Sequence, residues 1–340
     1  MVSASTVSSR YKLFNIGIVF VLFSFIVAMA AVNYFLDPYG VFSNDRYCRQ
    51  SFCNSRIRSV QHLLNHKRDY DGLLIGSSRM GLFPVSAIEA VRPGKRYYNL
   101  SAFSMTTKEI ADLVAGLDRA GVRYHEAIIG IDLYNYISPP TRGGGEYIHH
   151  PAITGDWPVH TWLKFLGIQS AYQVFSIMIS DGDDVVFDFN TGSFQLPRKE
   201  KALATGTAEP PKVRLKGKDL PALPAESVEK VRWENFALLK TIMSFMDKRG
   251  IDSRCLIYPH HPNSEISLFK AGEMDQVISQ IATICGDKTV DLSRSSWVAE
   301  DSLWYDPVHY RPLLAPAIAR AVFPTETTTL ASGQHSGGGI

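Results

Sequence analysis

The sequence lacks an excess of charge of either sign: 35 Lys and Arg stand against 33 Asp and Glu, a formal net charge of +2. A polyanion-binding surface needs a basic surplus, so nucleic acid is excluded as a partner. Internal repeats are missing, which excludes a repeat array. Cysteine is scarce, with four in 340 residues. Cys48 and Cys53 form a C-x4-C pair that can bridge in an oxidising compartment, metal ligation being the weaker use of a pair without nearby partners. Cys255, in an apolar run, and Cys285, closing a helical pattern, read as two buried free thiols.

One absence is local. From Leu13 to Phe35 there is no charged residue, and Asn15 and Ser24 are weak polar interruptions. At about 1.5 Å per residue such a run spans a hydrocarbon layer of about 30 Å. We read residues 13–35 as a transmembrane helix, with residues 1–12, carrying Arg10 and Lys12, on the cytoplasmic side and the rest exported. A cleavable signal peptide ending at Ala28-Met29-Ala30 is the competing account; apolar residues continuing through Phe35 favour a retained anchor.

What is present is a chain with 45% hydrophobic residues, enough for one large core or two modest ones. Residues 36–70 read as a juxtamembrane segment with a short amphipathic helix. Beyond it strands and helices alternate: apolar runs at 72–76, 96–102, 125–132, 253–259 and 288–293 read as strands, and 85–91, 106–121, 226–250, 273–285 and 313–323 as helices. That alternation predicts an α/β domain over 71–325, a flavodoxin-like three-layer sandwich on a parallel sheet of about five strands. Residues 133–225 break the rhythm and read as a central insertion. It holds one apolar helix or a pair at 160–180, a hairpin about Asn190-Thr191-Gly192, and a mobile Pro- and Lys-rich loop at 197–225. Residues 326–340 read as a disordered tail.

Functional groups of a parallel sheet gather at the carboxyl ends of its strands. Gly76-Ser77-Ser78, Asn99-Leu100-Ser101, Gly130-Ile131-Asp132, Pro259-His260-His261 and the segment Trp304 to Tyr310 all fall there. Asp306-x-x-His309 sets a carboxylate and an imidazole one helical turn apart, so the acid can hold one ring nitrogen while the other faces a hydroxyl. A neutral serine needs such a base, and Ser78 is the candidate nucleophile, its own N–H facing a developing oxyanion. Arg79 beside it can bind an anionic group or pair with a carboxylate. His260 and His261 either line the pocket or belong to a polar loop. His149-His150 read as a solvated loop in preference to a metal or substrate site. Trp297, Trp304, Tyr305 and Tyr310 can stack on sugar rings or pack against the sheet.

Gly76-Ser77-Ser78 early in the fold and Asp306-Pro307-Val308-His309 near its end resemble the first and last blocks of the SGNH/GDSL hydrolase superfamily. With one membrane helix and a large insertion, the chain looks most like the DltD-like and alginate O-acetylation accessory proteins. The resemblance implies an exported serine esterase or O-acyltransferase acting on acyl esters of a cell-envelope or exported polysaccharide, beside a membrane-bound O-acyltransferase. It implies no metal and no organic cofactor. It also exposes departures: the second block, Asn99 to Met105, has no glycine, so Ser101 or Ala102 must donate through its backbone. The third block has Asp132 where the family has asparagine, leaving Asn135 or Asn99 as substitutes. A non-catalytic glycan-binding or scaffold partner is the alternative, and a phosphate-ester or lipid hydrolase rests on Arg79 and the membrane alone.

Overall fold

The computed structural model describes residues 4–42, 46–49, 53–137, 147–179, 185–207, 231–262 and 272–324. In chain order a long helix α1 (Ala4–Leu36) leads to strand β1 (Tyr47–Cys48), helix α2 (Ser55–Asn65), strand β2 (Gly72–Gly76), the short helix α3 (Ser78–Gly81), α4 (Val85–Val91), β3 (Tyr97–Ser101), α5 (Thr107–Arg119) and β4 (Glu126–Ile131). The insertion carries α6 (Pro151–Thr154), α7 (Pro158–Phe165), α8 (Ile168–Ile179), the strands β5 (Val186–Asp188) and β6 (Phe194–Gln195), and α9 (Pro197–Ala204). The chain then returns through α10 (Trp233–Lys248), β7 (Asp252–Ile257), α11 (Glu273–Cys285), β8 (Thr289–Asp291) and α12 (Ala315–Val322).

Five strands form one sheet in the order β3-β2-β4-β7-β8, every pair parallel. This is the flavodoxin-like order, in which the chain direction across the sheet reverses between β2 and β4. The central strands Gly72–Gly76 and Glu126–Ile131 are buried along their whole length, which is why they read as unbroken apolar runs instead of alternating ones. On one face α5, α10 and α11 bury Leu113, Leu239 and Ile281; on the other α4 and α12 bury Ile88 and Ile318. Thr106 and Glu109 close a capping box at the start of α5, the signal legible in the sequence Thr-Thr-Lys-Glu.

The edge strand β3 is covered by the insertion. Asn99 N–H donates to Thr191 O at 2.9 Å across the loop between β5 and β6. Gly192 has φ +74°, and a Cβ there would lie 1.8 Å from Asn99 O, so only glycine allows this approach. The apolar segment expected at 160–180 is the pair α7 and α8. The mobile loop expected from 197 is corrected at its start, since Pro197–Ala204 is helical; residues 208–225 and the expected tail at 326–340 lie outside the described residues.

Cys48 and Cys53 are bridged. The free thiols expected at Cys255 and Cys285 are corrected: they form a second disulfide closing 30 residues. Cys255 lies in β7 and Cys285 ends the helix packed over it, so topology brings together two positions whose spacing says nothing. A loop of that length is worth about 3–4 kcal/mol in the chain-entropy model.

Candidate active site

Strand β2 ends at Gly76, and Ser77 caps α3 with its Oγ accepting from Arg79 N at 3.3 Å. Ser78 therefore starts a helical turn at the sheet's carboxyl edge, beside the switch point. A glycine must precede it: a Cβ on Gly76 would lie 2.5 Å from Tyr258 Oη, and one on Gly130 of β4 would fall at 1.6 Å. The Tyr258 ring from the end of β7 thus occupies the space that two glycines leave open.

Ser78 Oγ lies 2.9 Å from His309 Nε2. His309 Nδ1 lies 2.9 Å and 3.0 Å from the two carboxylate oxygens of Asp306. The spacing Asp306-x-x-His309 works through a different backbone from the helical turn expected: residues 305–308 form a bend. Asp306 Oδ1 accepts from Val308 N at 3.0 Å and His309 N at 2.9 Å, an Asx-type turn that folds the acid against its own imidazole. An antiparallel bridge between Trp304 and Tyr310, with Tyr305 N donating to His309 O at 2.8 Å, closes the loop.

Burial alone would raise the Asp306 pKa. The hydrogen bond from His309, the charges of His309 and Lys199 and the Val308 N–H outweigh it and hold the carboxyl well below the usual range. An ionised Asp306 accepts only, so Nδ1 is the protonated nitrogen and Nε2 is left to accept from the Ser78 hydroxyl. Ser78 is 9% exposed, whereas the side chains of His309 and Asp306 are 26% and 30% exposed. A small molecule can therefore reach the imidazole side of the chain.

The remaining predicted residues are differently employed. Arg79 is buried: its Nε donates to Val308 O at 2.9 Å, NH1 pairs with Asp132, and its carbonyl accepts from Tyr310 OH at 2.8 Å. It ties the loop bearing His309 to the turn bearing Ser78. Asp132 is held by that arginine. Ala102 N–H donates to Gly76 O at 3.2 Å, Ser101 Oγ donates to Asn99 Oδ1 at 2.6 Å, and Asn135 Nδ2 donates to Met105 O at 3.1 Å. Asn99 spends its amide on Met80 O and Phe83 O, at 2.6 and 2.9 Å, bracing the chain just beyond Ser78. Of the donors suggested for an oxyanion, Ser78 N–H is the one whose position in the first helical turn leaves it without an intrahelical acceptor.

His260 is buried against Tyr258 O at 2.6 Å, and burial, with Arg79 adding, lowers its pKa to about 3, so it is neutral. His261 bonds Asp301 Oδ1 at 3.0 Å and packs edge-on to Trp304. His149 and His150 are not solvated as expected: one bonds Glu109 at 3.0 Å and the other caps α6. Trp304 and Tyr310 are fully buried, and Trp297 packs on the same cluster, which assigns these rings to the core.

Sequence reasoning missed what the insertion contributes. Lys199 of α9 lies 3.2 Å from Asp306 Oδ2, and Glu200 accepts from Tyr305 OH at 2.6 Å and pairs with Arg311. Phe194 lies against Gly81, where a Cβ would be 2.0 Å from the ring. Neither Lys199 nor Glu200 carried a signal within a Pro- and Lys-rich stretch.

No family model matches the chain, and no curated protein matches it. Among solved structures it is similar to a protein described as a platelet activating factor from Streptococcus pneumonia, at 11% identity over 79% of this chain and 90% of that one, TM-score 0.40. It is also similar to the psychrotrophic esterase EstA from Pseudoalteromonas sp., at 10% identity over 77% and 99%, TM-score 0.33. These are distant likenesses.

Proposed function

We propose that this chain is an SGNH/GDSL-type serine esterase or O-acyltransferase. The observation that carries this is the unbroken chain Ser78 Oγ to His309 Nε2 to Asp306. Ser78 attacks an ester carbonyl, His309 takes its proton and returns it to the leaving alcohol, and Asp306 fixes the tautomer and stabilises the imidazolium. Water as acceptor makes an esterase; a glycan hydroxyl makes a transferase. The residues need no metal or organic cofactor for either route.

Tyr11–Leu36 is long and apolar enough to cross a bilayer, with a mean hydropathy of 2.5. We read it as a single inner-membrane anchor with the α/β domain in the periplasm or outside the cell, in keeping with two disulfides. The substrate class is an acylated cell-envelope or exported polysaccharide, with a membrane-bound O-acyltransferase as partner. The test is turnover of an activated acetyl ester and of an acetylated polysaccharide by the full-length protein and by Ser78→Ala. Loss of turnover with an unchanged circular dichroism spectrum supports the enzyme; undiminished turnover sinks it.

One observation favours a second reading. Asp132 is locked to Arg79, and the Ala102 N–H and the Asn99 and Asn135 amides are committed elsewhere, so the oxyanion site is thinner than the family pattern supplies. A glycan-binding scaffold for the acyltransferase would need no such donors. Glycan binding that survives Ser78→Ala, in a protein without acyl turnover, distinguishes it.

A further inference from the structure

The insertion helices α7 and α8 carry a second apolar face that nothing in the described residues covers. The residues they turn inward are the small polar Thr161 and Ser170, both fully buried, together with the apolar Phe165 and Val174. The residues they turn outward include large apolar ones, with His160 and Lys164 also exposed on α7. On α8 Ile168, Tyr172 and Phe175 recur at spacings of four and three and are all exposed, Tyr172 at 66%. On α7 Val159 and Leu163 repeat at a spacing of four, and Trp157, capping the helix, is 81% exposed. Over its twelve residues, Ile-Gln-Ser-Ala-Tyr-Gln-Val-Phe-Ser-Ile-Met-Ile, α8 carries no charge. A water-facing helix pair would have the opposite pattern, and an exposed apolar face of this extent marks an interaction surface. Bulky apolar side chains outside, with Thr161 and Ser170 among those inside, suit a hydrocarbon surround.

What lies outside follows from position. Asn33 Nδ2 donates to Leu166 O at 3.0 Å and Gly167 O at 2.8 Å, the two residues linking α7 to α8. Asn33 is three residues from the end of the apolar helix, so the link sits about one turn, roughly 5 Å, below the end of α1. Tyr39 and Phe42, just beyond α1, pack on Phe165, and Phe42 also packs on Trp162, which fixes α7 at the same level. The apolar faces of α7 and α8 are therefore continuous with the exposed flank of α1. The apolar part of α1 has 26 residues, about 39 Å, longer than a hydrocarbon core of about 30 Å, so its last turns reach the headgroup zone. Trp157 and Tyr172 are the side chains that zone favours.

We propose that α7 and α8 lie in the outer interface of the same bilayer that α1 crosses, their outward faces buried in lipid, so that the catalytic domain is held by two elements and not by a flexible stalk. This rests on the reading of α1 as a membrane anchor. The two contacts fix the domain's tilt and its height above the membrane.

The test uses the full-length protein in vesicles of phosphatidylethanolamine and phosphatidylglycerol with brominated acyl chains. No free cysteine competes among the described residues, so Leu163→Cys, Tyr172→Cys, Val21→Cys in α1 and Lys240→Cys in α10 can each carry one environment-sensitive fluorophore. The expected result is at least about twofold quenching at positions 163, 172 and 21 and none at 240, as for apolar faces buried in the acyl boundary. Quenching at 21 with 163 and 172 behaving like 240 overturns the second contact and leaves the anchor standing. No quenching at 21 removes the anchor reading and this one with it. Labels at 163 and 172 shielded from both bromine and aqueous iodide show a protein on this face and also overturn it.

Discussion

The two ends of β4 carry the same device and do different work. At the amino end Glu126 is buried beside Arg92 and the Tyr97 hydroxyl; at the carboxyl end Asp132 is buried beside Arg79. Each is a carboxylate that a guanidinium keeps compatible with a core. At the amino end Arg92 also stacks on the Phe323 ring, 4.9 Å from its centroid, and holds no loop that bears a candidate catalytic group. At the carboxyl end Arg79 also binds Val308 O and accepts from Tyr310 through its carbonyl, so the ion pair fixes the loop that carries His309. A buried ion pair is thus a structural element at both ends. The proposed chemistry belongs to one end, where a partly exposed imidazole and a hydroxyl lie on top of the pair.

Removing chemistry from the carboxyl end should have the largest effect. Ser78→Ala should lower acyl turnover by about 10⁶-fold where the chemical step is measured, with thermal unfolding within a degree or two of the parent. Asp306→Asn keeps the shape of the Asx turn but loses the charge that sets the tautomer, and should cost about 10⁴-fold in kcat with KM little changed. Both are read from steady-state kinetics on the same ester.

The ion pairs themselves come next. Arg79→Met leaves Asp132 buried without its cation and should destabilise the fold by about 3–5 kcal/mol in urea unfolding. Arg92→Met should cost only about 1 kcal/mol, because the Arg92 side chain is 36% exposed and water can replace it. Equal losses from the two variants would break the distinction drawn between the two ends.

Smallest is the dependence on pH. Burial, followed by the charge of Arg79, lowers His260 from 6.5 to about 3; burial, followed by His66, lowers His62 to about 4. Both are neutral in the fold and take up protons on unfolding, so the stability they supply is full above about pH 6.5 and falls as pH drops toward 4 and then 3. The melting temperature should be flat from pH 7 to 8 and fall by several degrees by pH 4.5; His62→Phe should flatten part of that slope.

Five strands and the flanking helices were legible because central strands such as Gly72–Gly76 announce themselves as apolar runs and α5 announces its cap. Ser78, Asp306 and His309 were legible as separate blocks, since topology alone brings strand ends to one edge. The rest depended on contacts across long sequence separations that no local pattern encodes. Cys255 finds Cys285, Arg79 finds Asp132, and α9 reaches Asp306 through Lys199. Asn99 reads in sequence as a substitute for the third-block asparagine, whereas in the fold it is a brace whose amide holds Met80 O and Phe83 O.

The most direct test is fluorophosphonate labelling of the full-length protein, with peptide mapping, in the parent and in His309→Ala. A single adduct on the peptide bearing Ser78, formed at least about 10³-fold more slowly without the imidazole, is the predicted result. An adduct on another residue, or equal labelling rates in the two proteins, would contradict the assignment of Ser78 as a nucleophile activated by His309.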